Sequence, residues 1–196
     1  MQALVFESTR TVTPEEFREW VEERERAGEL RRSELLNGRI VMTPPAGYPH
    51  GEVEANLVRI VSSFVREIAL GKVFGSSQGF DLPSGDTVEP DVSFVSKERW
   101  SAAPSPETGK FLRVVPDVVF EILSTATASR DRGEKKAIYE TNGVREYWLV
   151  DYPAREVLVF HLDGARYGRE RAFTERDKAL SDAIKGLVID VAELFP

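Results

Sequence analysis

The chain has 196 residues, no cysteine and a formal net charge of −7. That length suits one domain, residues 1–196, because single cores commonly reach ~200 residues, and 41% hydrophobic content supplies a sizeable core. The missing cysteines exclude disulfides, thiolate metal sites and cysteine nucleophiles, and the acidic balance argues against tight nonspecific nucleic-acid binding while leaving room for a local basic contact face.

Met1–Phe6 is too short for a signal peptide, and no apolar run approaches the ~20 residues of a membrane span. No membrane contact and a cytoplasmic location are therefore expected. Thr13–Pro14–Glu15–Glu16 predicts a helix start: Thr13 caps, Pro14 suits the first turn and Glu16 completes a capping box. That helix runs through Phe17, Trp20 and Val21 to Ala27, where Gly28 stops it. Ser33–Leu36 and Arg39–Met42 flank Asn37–Gly38, a hairpin turn with positive φ at both central residues. Thr43–Pro44–Pro45–Ala46–Gly47 reads as a loop. From Gly51 to Leu70, Val53, Leu57, Ile60, Val61, Phe64 and Ile68 recur at helical spacing, predicting a long helix with one apolar stripe.

Short β pieces follow at Lys72–Gly75, Gly79–Leu82 and Val88–Val95, and Trp100–Lys110 reads as a surface loop. Gly75–Ser76–Ser77–Gln78–Gly79 is a bend close to Asp91 that could line a groove. Val114–Leu123 is an apolar run broken by Asp117 and Glu121, as in a central strand. Asp131–Asn142 reads as a helix ended by Gly143, Glu146–Asp151 and Glu156–His161 as a strand pair, and Leu180–Pro196 as a short strand and a last helical turn. Strands among helices in this order predict one α/β (α+β) domain: a mixed β-sheet flanked by helices.

The acids in apolar strands are the functional signal, because carboxylates are rarely buried unless paired or metal-bound. Asp117 and Glu121 lie four residues apart on one strand, ~13 Å, too far to share a cation held ~2.1 Å from each oxygen. Asp117 is expected to bond a backbone amide instead. The better partner for Glu121 is Asp91, which can be its lateral neighbour at ~5 Å on an adjacent strand; Glu89 shares a face with Asp91 and is a weaker substitute. The strand position sharing the face of Glu121 is the apolar Leu123, so a cation must come from elsewhere. With Asp131 as helix cap and Glu134 reaching back, Lys135 falls in the first turn on the face of Ile138 and Tyr139, which packs on the sheet, whereas Lys136 shares the outer face of Glu140. Asp91, Glu121 and Lys135 together suit divalent-metal chemistry on a phosphate ester. The competing readings are a strand start for Asp91 and a buried Glu121–Lys135 ion pair of purely structural value. No nucleotide-binding glycine loop, nucleophile elbow or His-rich zinc spacing is present.

Glu34–Leu35–Leu36–Asn37–Gly38, His50, Glu89–Pro90–Asp91–Val92–Ser93, Phe120–Glu121–Ile122–Leu123–Ser124, Asp131–Arg132–Gly133–Glu134–Lys135 and Gly143–Val144–Arg145–Glu146–Tyr147–Trp148–Leu149–Val150–Asp151 resemble the Uma-type restriction endonuclease family of the PD-(D/E)XK nuclease superfamily. The resemblance implies a restriction-endonuclease-like core and Mg²⁺-dependent (or Mn²⁺-dependent) hydrolysis of DNA phosphodiesters. Asp91 and Glu121 match the two metal-holding acids, with the Ile122 carbonyl as a further donor. Lys135 matches a lysine moved from the strand to the following helix, a departure from the superfamily pattern. Glu34 and His50 fall in supporting roles, although His50 also suits a cap or a loop contact, and His161, alternating with Val157 and Val159, reads as structural. Superfamily nucleases often dimerise to cut both strands, so a homodimer is compatible with the resemblance. Two alternatives stand beside the nuclease: a catalytically silent binding protein on the same fold, and a hydrolase of a small phosphorylated substrate.

Overall fold

The computed structural model describes residues 6–29 and 32–196. Met1–Val5, most of the segment weighed above as a signal peptide, lie outside them. No helix among the described residues is long and apolar enough to cross a membrane.

Strand β1 (Phe6–Glu7) precedes helix α1 (Pro14–Arg26), whose start is the predicted capping box: the Thr13 hydroxyl accepts the Glu16 amide and the Glu16 carboxylate accepts the Thr13 amide. Strands β2 (Ser33–Leu36) and β3 (Arg39–Met42) form the expected hairpin, with φ of 49° at Asn37 and 75° at Gly38. Helix α2 (His50–Glu67) buries Val53, Leu57, Val61 and Val65. It ends earlier than its apolar spacing predicts. Ala69 takes a left-handed φ of 53° and the Leu70 amide returns to the Val65 carbonyl at 3.0 Å. This stop is usually made by glycine, so the sequence carries no sign of it. Ile68, assigned to the buried stripe above, is consequently exposed, and Val65 takes its place.

Next come β4 (Gly71–Gly75), β5 (Phe80–Asp81), β6 (Thr87–Val88) and β7 (Val92–Ser96). The predicted single strand Val88–Val95 is thus two strands in different sheets, parted by Glu89–Pro90–Asp91. Pro90 lacks the N–H that a continuous ladder would need. The loop expected at Trp100–Lys110 begins as helix α3 (Lys97–Ala102), capped by the Ser96 hydroxyl accepting the Arg99 amide at 3.3 Å. Strand β8 (Val118–Ile122) leads through α4 (Ala128–Arg130), a π-helical turn (Asp131–Lys135) and α5 (Lys136–Thr141) to β9 (Glu146–Asp151). Strands β10 (Glu156–Asp163), β11 (Arg166–Tyr167), β12 (Arg171–Thr174), β13 (Lys178–Leu180) and β14 (Val188–Asp190) and a 3-10 turn (Val191–Leu194) complete the described chain.

The sheet order is β11-β10-β9-β8-β7-β4, with β12 also on β10, so β8 is central as expected. It runs parallel to β9 and antiparallel to β7, and the sheet is mixed. A second sheet, β1-β3-β2-β6-β5, lies beside it, and β13 pairs with β14 separately. Alternation along β8 sends Val118, Phe120 and Ile122 to the face covered by α2 and the C-terminal turn. Val119 and Leu123 face the other way, against Leu36 of β2, Ile138 and Tyr139 of α5 and Tyr147 of β9. Glu121 shares that second face. Asp117, just before β8, accepts the Ser96 amide at 2.7 Å and meets Arg99 and Arg145 at 3.2 and 3.1 Å, the anchoring contact expected of it.

Truncating the stripe of α2 tests its corrected boundary. Leu57→Ala should cost about 2–5 kcal/mol in urea unfolding, whereas Ile68→Ala should stay within about 0.5 kcal/mol of the parent.

Candidate active site

The register Val92↔Phe120 between β7 and β8 makes Asp91 the next neighbour of Glu121 across the pair. Asp91 lies just before β7, where the Pro90 break redirects the chain, and its Oδ2 accepts the Ile122 amide at 2.7 Å. On the opposite side, Glu34 of β2 reaches over from the second sheet, its Oε1 accepting the Glu89 amide at 2.9 Å. Lys135 Nζ lies 2.8 Å from Glu34 Oε1 and 2.7 Å from Glu121 Oε1. The Tyr139 hydroxyl, one turn on, donates to the same Glu121 oxygen at 2.7 Å. His50 opens α2 with Nε2 3.4 Å from Asp91 Oδ2.

Asp91, Glu121, Lys135, Glu34 and His50 therefore line one cleft of ≈ 790 Å³. Asp91, Glu121 and Lys135 are each almost fully buried at its floor, at 3%, 2% and 3% exposure. Ser76, in the glycine-flanked bend, lies in its wall. His161 stands apart, with Nδ1 3.2 Å from Glu146 and 3.4 Å from Asp182. Glu146 is meanwhile occupied by the Trp148 indole, the Ser181 hydroxyl and the amides of Asp182 and Ala183.

Asp131 departs from its predicted role. The helix begins earlier, where the Ala128 amide returns to the Ser124 carbonyl at 2.9 Å and the Ser124 and Thr127 hydroxyls bond each other at 3.0 Å. Asp131 then falls inside the helical segment, buried in the π turn. The wider turn buries both Asp131 and Lys135.

Arg32 also lies in this cleft and has no place among the sequence expectations. Its Nη1 lies 2.6 Å from Asp91 Oδ1, its Nη2 lies 3.9 Å from Glu121 Oε2, and it donates to the Glu89 carbonyl. A signal existed. Arg32 and Glu34 are two residues apart, so an extended chain puts both on one face. Tyr139 lies on the sheet-packing face as expected, and its hydroxyl donates to Glu121, a contact that helical spacing alone does not reveal.

Burial and charge pull these groups in opposite directions. Burial alone would raise Asp91, yet Arg32, His50 and the Ile122 amide hold it well below the ordinary carboxylate range. Burial pushes Glu121 up to about 8, with Asp91 and Asp131 adding to the rise and Lys135 opposing it. Glu89 is pushed up to about 7 by burial and by Glu34, and Asp131 to about 6 by burial first. Burial would lower Lys135, but Glu121, Glu34 and Asp131 more than reverse this and hold it as ammonium. Acid crowds this floor beyond what Arg32 and Lys135 offset, and a further cation would relieve it.

The chain belongs to the Uma2 family: residues 14–192 match the family model described as "Putative restriction endonuclease". A solved structure from Anabaena variabilis ATCC 29413, titled as "a putative nuclease belonging to DUF820", shares the fold, with a TM-score of 0.73 at 21% identity over 93% of this chain and 97% of that one. No curated protein sequence matches the chain.

Lys135 bridges two buried carboxylates, and removing one partner of such an arrangement strands the other charge. Lys135→Ala should cost about 3–5 kcal/mol in urea unfolding. Lys135→Met combined with Glu34→Gln should recover part of that loss.

Proposed function

We propose that this chain, working as one cytoplasmic nuclease domain, is a Mg²⁺-dependent endonuclease that adds water across phosphodiester bonds of DNA. The observation carrying this reading is the convergence of Asp91, just before β7, and Glu121 of the adjacent β8 on one positively charged group, the Arg32 guanidinium. The donor set fits a hard divalent ion: carboxylate oxygens, with no cysteine in the chain and one imidazole at the margin. Arg32 already stands in for positive charge between these acids, and its buried Nε has no hydrogen-bond partner. Asp91 and Glu121 would hold the ion, Mg²⁺ or Mn²⁺. When bound, such an ion polarises a phosphoryl oxygen and lowers the pKa of a bound water.

The chain's own groups divide the remaining work. Lys135, kept as ammonium by its carboxylate neighbours, offsets charge that develops on the phosphoryl oxygens. Glu34 and Tyr139 keep Lys135 and Glu121 in their present rotamers. His50, beside Asp91, is placed to take or give a proton at Nε2. A second reading, hydrolysis of a small phosphorylated substrate, draws support from the recessed cleft, whose volume is that of a small-molecule pocket.

DNA offered with Mg²⁺ or Mn²⁺ as single-stranded oligonucleotide, linear duplex and plasmid should be cut by the wild type in at least one of these forms. Asp91→Asn and Glu121→Gln, shown folded by circular dichroism, should lose at least ~100-fold in rate and lose metal binding in calorimetry. A wild type that binds neither ion ends the enzymatic reading. A monoester cleaved in preference to DNA favours the small-substrate reading instead.

A further inference from the structure

We infer that the cleft takes an unpaired DNA strand rather than a duplex, with Tyr48 as the platform on which a base stacks; this rests on the nuclease reading above. The first support is the state of Tyr48. It is 81% exposed, while the other exposed large hydrophobic side chains lie between 47% and 49%. It sits in the wall of the cleft that holds Asp91 and Glu121. The preceding segment carries Pro44 and Pro45, Pro49 follows it, and the His50 amide closes the turn on the Gly47 carbonyl at 3.0 Å. The backbone is thus stiffened on both sides and presents the ring at little further entropic cost. Among the described residues, Tyr48 has no ring, cation or hydrogen-bond partner.

Charge supplies the second, independent support. Duplex binding draws on Lys and Arg that neutralise phosphates. The basic residues described in this cleft are already engaged: Arg32 with Asp91, Lys135 with Glu34 and Glu121, and Arg130 with Glu7 and Glu134 at 3.1 and 3.3 Å. Among the described residues, the remaining wall adds no free cation: it offers hydroxyls from Thr43, Ser76, Ser124, Thr125 and Thr127, the carboxylate of Glu54 and the ring of Tyr152, while His50 is held against Asp91. Affinity for nucleic acid here must lean on stacking, which is independent of sequence because every base has a π face. Burial adds to this: Asp91 and Glu121 lie at the cleft floor, 3% and 2% exposed, and an unpaired strand is the more flexible form of DNA to reach them.

The experiment uses the full chain with Ca²⁺ replacing Mg²⁺ to suppress turnover. The probes are a fluorescein-labelled oligodeoxynucleotide carrying 2-aminopurine and the same strand annealed to its complement. Anisotropy should show the single strand bound at least tenfold more tightly than the duplex, and 2-aminopurine emission should fall on binding. Tyr48→Ala should weaken single-strand binding roughly 5- to 100-fold, abolish the emission change and leave the salt dependence unaltered. Tyr48→Trp should restore both signals, and Tyr48→Leu should not. Equal or tighter duplex binding, or a Tyr48→Ala protein indistinguishable from wild type, overturns the inference while metal-dependent cleavage of duplex leaves the nuclease reading standing. If neither form of DNA is bound or cleaved, both fall.

Discussion

The buried Lys135 ammonium is the constraint on which the site depends. It comes from the helical segment after β8, and it meets Glu121 on the central strand and Glu34 on the second sheet. Three separately formed elements are thus joined by one buried charge. Such a contact is costly to desolvate, and it is favourable only because both carboxylates and the Tyr139 hydroxyl are in place together. Apolar packing would hold these layers together with looser positional demands. A charge at hydrogen-bond distance from two acids fixes where they must stand.

Much of this arrangement was legible in the amino-acid sequence, because it follows from period and chain chemistry. The two-residue alternation of β8 puts Glu121 opposite Ile122, and helical spacing puts Lys135 with Ile138 and Tyr139. Pro90 marks the break that delivers Asp91. The boundaries that went astray depend on tertiary context. Ala69 performs a turn normally left to glycine, and Asp131 with Glu134 imitates a capping box inside a helix that starts several residues earlier. Arg32 was hidden for a related reason. Its membership of the Glu34 face is evident only once the chain is known to be extended ahead of Ser33.

The electrostatics follow from crowding. Asp91 stays ionised because Arg32, His50 and an amide surround it, while Glu121, equally buried and flanked by Asp91 and Asp131, is driven upward. Neighbouring carboxylates with opposite displacements are a common mark of functional sites. The lysine borne on the helix belongs to the same picture. With Leu123 filling the apolar slot on the strand, the cation approaches from above the sheet and simultaneously satisfies Glu34, which a strand-borne lysine would have to reach across the gap between sheets.

The β2–β3 hairpin has one more consequence. Its Arg32, Glu34 and Leu36 look toward the central sheet, whereas Leu35 packs with Phe17 and Ile40 beneath α1. Sliding β2 by a single position would turn Ser33 and Leu35 inward and carry the arginine and glutamate out to solvent. The tight bend at Asn37–Gly38 therefore sets the place of these charged groups as well as the fold: a mispaired hairpin would leave neither of them in the cleft.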